Sequence, residues 1–264
     1  MKALWSAASG MRALQSKIDV ISNNLANVNT TGFKKQRIEF SDMLYEKLKQ
    51  EDLVDGEGRP VSVEVGHGVQ MSATYRNFNE GNLQNTGNEL DVALRGDGFF
   101  VIKDDRGNER YTRSGNFKIS VFEDGARLTT NDGFRVQGVD GDIDFGKDVA
   151  EVIMEGKGQI FVKRIGSDEK EEIGRFRVVD FPNKAGLESD GRGLYASNSS
   201  TGALVDVNMD TGTTEVWQRH LEASNVEVVE EMVSMITAQR AYELNVKTIQ
   251  TAEQMLEIAN NMKR

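Results

Sequence analysis

No cysteine occurs among the 264 residues, so neither a disulfide framework nor a thiolate metal site is available. Histidine is nearly as scarce. His67 and His220 are the only two, which leaves transition-metal chemistry poorly supplied. Proline occurs only at Pro60 and Pro182, while 26 glycines do the turning. No run of about 18 apolar residues exists, so no segment reads as a bilayer-spanning helix. A basic surplus is also missing: the formal charge is −10, which argues against nucleic acid or an anionic membrane as partner, because both reward a basic face. The length admits one large domain or two modest ones with a sizeable core.

What the chain does have is hydrophobic periodicity at its two ends. Leu4, Ala7, Met11, Leu14, Ile18, Ile21, Leu25 and Val28 alternate steps of three and four across four heptads, the pattern of a coiled-coil seam. "MKALWSAASGM" faintly imitates a secretory signal, but Arg12 and Lys17 interrupt any hydrophobic region and the seam runs past the place where cleavage would fall. No cleaved signal is expected. At the other end Val228, Met235, Tyr242, Ile249 and Leu256 recur every seven residues, with Ala238, Ala252 and Ala259 at intervening positions. Glu231 and Asn245 occupy the other two intervening positions and make this seam less pure. Neither Pro nor Gly occurs from about Asn225 to Met262, which allows a helix of roughly 55 Å.

An amphipathic helix is most simply a core helix of a globular domain. Here both seams sit at chain ends and carry opposite charge. Residues 1–44 hold six Lys/Arg against three Asp/Glu, and residues 221–264 hold four against seven. The two terminal helices are therefore expected to pair with each other. Met232, Val233, Ile236 and Val246 lie beside the main seam, and other copies of the chain are the obvious cover for that wider apolar surface.

The middle is written differently. "GFFVIK" (98–103), "RYTRSGNFKI" (110–119), "RLTTNDGFRV" (127–136), "QIFVKRI" (159–165) and "RFRVVDF" (175–181) are short β-type runs punctuated by glycine. "DDRGN" and "TNDGF" read as hairpin turns. The fold class is α+β: an antiparallel β-rich central body with long N- and C-terminal helices that pair as a coiled coil. The expected division is a terminal helical polymerisation domain (1–44 with 221–264), an extended arm or hairpin connector (45–75) and a β-rich outer domain (76–220). Within the connector, 45–68 is charged and then Gly-rich.

Chemistry is hard to find. Asp140, Asp142, Asp144 and Glu151 occupy EF-hand positions 1, 3, 5 and 12, but Phe145 stands where the loop needs glycine, and no helices flank the segment. It reads as an acidic β-turn. "RGDGFF" (95–100) lacks the spacing of a phosphate cradle, and no G-x-S-x-G elbow is present. Asn29-Thr30-Thr31 and Asn198-Ser199-Ser200 match the glycosylation pattern, which is common by chance. No catalytic residue, metal or cofactor is expected, and the chain does not read as an enzyme.

"NNLANVNTTGFKK" (23–35) resembles the N-terminal signature of the flagellar axial proteins, the family of rod, hook and hook-associated subunits. "SNVEVVEEMVSMITAQRAYELNVKTIQTAEQML" (224–256) resembles that family's other signature, at the proper end. "LWSAASGM" (4–11), "GNLQNTGNELDVALRGDGFFVI" (81–102) and "YTRSGNF" (111–117) look like its distal rod members, and the likeness is weakest over 140–200. Length and the 45–68 segment favour that class over the proximal rod and hook types.

The resemblance implies a structural subunit that polymerises helically into the basal-body distal rod and transmits motor torque to the hook. Leu4 to Val28 on the first helix, and Val228, Met232, Met235, Ala238, Tyr242, Val246, Ile249, Ala252, Leu256 and Ala259 on the last, would be polymerisation contacts. Asn23, Asn24, Asn27, Asn29, Thr31, Gly32, Phe33 and Lys34 form the rod signature. The asparagines would hydrogen-bond local backbone and end the first helix near Gly32, with Lys34 and Lys35 complementing its dipole. Tyr45, Leu48, Leu53 and Val54 would belong to an arm that stiffens the rod. The implied partners are copies of itself, other rod subunits below, hook protein above, surrounding envelope rings and the flagellar type III export apparatus, in the cell envelope. A secreted β-rich binding module and a β-rich hydrolase are the readings from other classes. Removing 1–44 separates the polymer from the binding module, since it abolishes assembly in the first and collapses the fold in the second.

Overall fold

A computed structural model describes residues 2–49, 63–122, 125–146, 149–166, 169–210, 212 and 214–262. The chain is α+β, with two long helices, α1 (Lys2–Ala26) and α2 (Val228–Asn261), and a β-rich remainder in which every strand pair among the described residues is antiparallel. It divides into two compact units: residues 1–26, 36–76 and 227–264 form one, and residues 27–35 and 77–226 form the other.

In the helical unit α1 packs along α2. The strand Gln36–Asp42 pairs with Val69–Arg76 across a bulge at Glu39/Phe40, and Tyr45–Lys49 pairs with Val63–Gly66, so the excursion is a hairpin at its base. Leu53 and Val54 lie outside the described residues. The chain returns from the hairpin through Gly68, where φ is +110° and a side chain would collide with Ser9 Oγ. Val69 N donates to that same hydroxyl at 3.3 Å, which seats the returning strand on α1.

In the β unit the main sheet runs in the order Asp144–Gly146, Gly125–Thr130, Arg135–Gly138, Phe99–Lys103, Glu109–Thr112, Leu194–Ala196, Glu188–Gly191. A three-stranded sheet, Val149–Met154, Gln159–Arg164 and Lys170–Arg175, stands beside it. "FFVIK" is apolar without alternation because both faces of its strand are covered. Phe100 and Ile102 enter one core with Phe117, Leu128, Phe176 and Val216, while Phe99 and Val101 enter another with Tyr111, Phe181 and Tyr195. Phe100 meets Phe117 and Phe176 edge-on at 5.2 and 5.4 Å, the geometry the ring quadrupoles favour.

Both expected turns form. Gly107 N donates to Asp104 O at 2.9 Å, Gly133 N donates to Thr130 O at 3.0 Å, and both glycines have positive φ. The run "RYTRSGNFKI" is instead broken into Glu109–Thr112 and Phe117–Phe122. At the break Gly115 presses on Val92, leaving no room for a side chain. The acidic segment 140–146 forms two short strands, and Asp142 is taken by Gln137 and Arg135. No helix is long and apolar enough to cross a membrane among the described residues.

Candidate functional site

There are two candidate sites, one in each unit: the pair of terminal helices in the helical unit, and the buried polar groups around Lys34 and Glu222 in the β unit. On α1, Ala7 and Ile21 are buried and Leu4, Met11, Leu14, Ile18 and Leu25 half-buried. On α2, Ala238 is buried and Met235, Tyr242, Val246, Ile249 and Ala252 are half-buried, while Val228, Met232, Leu256 and Ala259 are exposed. The two faces differ in kind. Val229, Val233, Ile236, Leu244, Met255 and Ile258 are each more than half exposed. At about 3.6 residues per turn they lie roughly half a turn from Glu231, Ala238 and Tyr242. α2 is thus apolar on two sides, and α1 covers one of them.

α1 ends at Ala26, six residues before Gly32, so Val28 lies beyond the helix. The reason is long-range. Asn24, buried near the end of α1, uses its whole amide on distant partners: Oδ1 accepts from Gln36 N at 2.9 Å, and Nδ2 donates to Gln36 O at 2.9 Å and to Glu231 Oε2 at 3.0 Å. One side chain therefore joins the end of α1, the first residue of a strand and the first turn of α2. Glu231 also suits its place, since a carboxylate in a helix's first turn faces the positive end of the dipole. Further along, a side-chain carbon at Gly10 would stand 3.4 Å from Asn245 Nδ2. The two seam positions that looked impure are thus opposite Asn24 and Gly10.

Gly32 has φ +69°, as expected of a left-handed residue, but it serves packing as much as turning. Its N–H donates to Glu222 O at 2.8 Å, and a side chain there would strike the Ser114 backbone. Thr31 Oγ1 lies 3.3 Å from Ser114 Oγ. Asn27 turns the chain locally, its carbonyl accepting from Thr30 N. Asn23 and Asn29 are exposed, and Phe33 is half-buried.

Lys34 does not sit over a helix end; its charge is spent on a buried carboxylate. Nζ donates to Glu222 Oε1 at 2.6 Å and to Asn79 O at 2.7 Å. Burial pushes the Lys34 ammonium below its ordinary pKa, and the Glu222 carboxylate pulls it back up. The same Oε1 accepts from Gly81 N at 2.9 Å. Glu222 Oε2 faces Arg113 Nε at 3.0 Å, an ion pair out of line for a hydrogen bond. Arg113 Nη1 in turn donates to Gly96 O and Gly98 O, at 2.9 and 2.8 Å. Two cations thus converge on one carboxylate away from water. Beside it Asn225 accepts from Lys35 N at 2.7 Å and donates to Asn77 O and Asn79 O at 2.9 and 3.0 Å.

Arg113 and Asn225 lie in motifs quoted above without a role assigned to them, and Glu222 had no local sequence signal. Glu231 and Asn245 did have one, as polar residues in phase with an apolar heptad. Tyr45 is exposed, and Leu48 lies in the strand that follows from it. Each histidine is engaged within its own unit: His67 Nδ1 lies 3.0 Å from Leu44 O, and His220 Nδ1 2.8 Å from Gln218 O.

Three family models match the chain: flagella basal body rod protein over residues 4–34, flagellar hook protein FlgE/F/G D1 domain over 93–162, and flagellar basal body rod FlgEFG protein C-terminal over 218–262. The flagellar basal-body rod protein FlgG of Borreliella burgdorferi is 42% identical over 269 residues, covering 100% of this chain and 99% of that protein. FlgG of Bacillus subtilis is 34% identical, with 100% of both chains covered. The flagellar hook protein FlgE of Helicobacter mustelae is 44% identical, but over only 52% of this chain and 30% of the hook protein. End-to-end identity to the rod proteins, with family matches at both termini, means that the chain belongs to the FlgG family of flagellar basal-body rod proteins.

Proposed function

We propose that this chain is the structural subunit of the flagellar distal rod, polymerising helically into a rigid tube that carries motor torque to the hook. It is a structural protein and not an enzyme, as its family is. The observation that carries the reading is end-to-end similarity to rod proteins, against a hook-protein match confined to about half of the chain. Proximal rod and hook roles are the nearest alternatives.

The exposed second face of α2 supports polymerisation: apolar residues repeated along a helix more than 30 residues long need cover, and copies of the chain supply it. In this reading residues 1–44 and 221–264 are the assembly domain, whose helices wind as a coiled coil. Leu4 to Val28 and Val228 to Ala259 contribute contacts within and between subunits. The 45–75 arm, with Tyr45, Leu48, Leu53 and Val54, braces neighbours, and the 76–220 body faces outward. Head-to-tail contacts of this kind leave an open filament. Its neighbours are other rod subunits below, hook protein above and the envelope rings around it. It reaches the basal body through the type III export apparatus.

The test is electron microscopy of cell envelopes from a strain lacking the gene, with motility scored beside it. Basal bodies that end in a short rod without a hook, rescued by the intact gene but not by one lacking residues 1–44, are the expected result. Normal hooks and swimming reject the role.

A further inference from the structure

At two places where α1 faces α2 the facing residues of α2 are polar: one makes a side-chain hydrogen bond to α1, and the other packs over a glycine of α1. Asn24 meets Glu231, and Gly10 meets Asn245. The two places are fourteen residues apart on each helix and run in opposite directions along the chain, so they belong to a single antiparallel register. Because Val228, Met235, Tyr242, Ile249 and Leu256 recur every seven residues, sliding one helix by a heptad sets apolar against apolar again. The slide does separate the polar pairs. Glu231, 3% exposed, loses the Asn24 amide, and Asn245 no longer lies over Gly10.

Asn24 is moreover not free to follow Glu231. Its Oδ1 and Nδ2 are bonded to both backbone groups of Gln36, so the amide that meets Glu231 is also held by the strand. We propose that Asn24 with Glu231 and Gly10 with Asn245 are register keys: they admit one antiparallel pairing of α1 with α2 and reject heptad-slipped ones. Polar residues inside an apolar seam set alignment in this way at a cost in pairing strength. The consequence for assembly, that the keys decide which face of α2 is offered to neighbouring copies, rests on the rod-subunit reading. The register itself does not.

The absence of cysteine makes the test direct. Arg12→Cys on α1 and Val229→Cys on α2, both exposed and staggered along the pair, carry spin labels in the full chain. Distances are measured by pulsed electron resonance, on the chain alone and diluted into unlabelled copies. A slip of one heptad moves a label by about 10 Å along the axis. The parent should give one distance, and so should Glu231→Gln, which keeps an acceptor for Asn24. Glu231→Leu with Asn245→Leu should keep its helicity by circular dichroism yet show a second distance. A single unchanged distance in the leucine variant overturns the proposal. Lost helicity without a second distance overturns it too, because the contacts then serve stability alone; so does a parent with no defined distance in either sample. Microscopy of the deletion strain reports on the rod role separately.

Discussion

Lys34 Nζ stands 2.6 Å from Glu222 Oε1, with both side chains buried and a sequence separation of 188 residues. Removing one partner of a buried ion pair leaves the other charge without compensation, which typically costs about 3–5 kcal/mol. Glu222→Gln leaves both Lys34 and Arg113 facing a neutral group, so chemical denaturation should show a loss of about that size. Lys34→Met combined with Glu222→Leu should cost less than the sum of the two single changes, because the double variant strands one charge fewer.

The same pair sets an alkaline signature. Burial lowers the Lys34 pKa in the folded chain, so between that lowered value and the ordinary 10.5 the unfolded chain holds more protons. Stability contributed by this group therefore rises with pH through that window. Denaturation midpoints of the parent, compared with Lys34→Met from neutral pH towards 10.5, should diverge in the parent's favour.

An acid signature lies at Asp97. The hydrogen bond from Lys184 is the main cause that holds its carboxyl below the ordinary 3.8. A lowered carboxyl pKa favours the fold above 3.8, and that contribution is lost as pH falls through the folded value. In Lys184→Met the Asp97 midpoint, followed by carbon-detected NMR, should move up towards 3.8.

Two glycines should respond very differently to alanine. A side-chain carbon at Gly115 would lie 1.6 Å from Val92 O, within backbone, whereas at Gly133 nothing stands within 4 Å and only φ, at +86°, resists. Gly133→Ala should cost about 1–2 kcal/mol. Gly115→Ala should cost about 4 kcal/mol or more and leave the β unit unfolded by thermal melting, since the Val92 backbone has no room to retreat beside buried Ala93.

Both helices, the antiparallel β body and its tight turns were legible because each leaves a local trace: a heptad, an unbroken apolar strand, an Asp-Gly. The end of α1 was not. Local reasoning lets Asn24 bond nearby backbone and extends the helix towards Gly32, while its actual partners are Gln36 and Glu231, 12 and 207 residues away. Lys34 misled in the same manner, because a dipole is visible within a short window and a carboxylate 188 residues on is not. Glu231 and Asn245 stood out as exceptions to an apolar pattern, and the meaning of an exception depends on the facing residue, which only the fold supplies.

The division of the chain has a mechanical consequence. The backbone passes between the two compact units at 26/27, 35/36, 76/77 and 226/227. A single tether would make one peptide bond the weakest element under load. With four, a cut at any crossing leaves the units covalently joined through the other three, so a protease nick does not detach the β unit. Separating the units completely would require breaking the backbone at all four crossings, a redundancy suited to a part that bears continuous torsion.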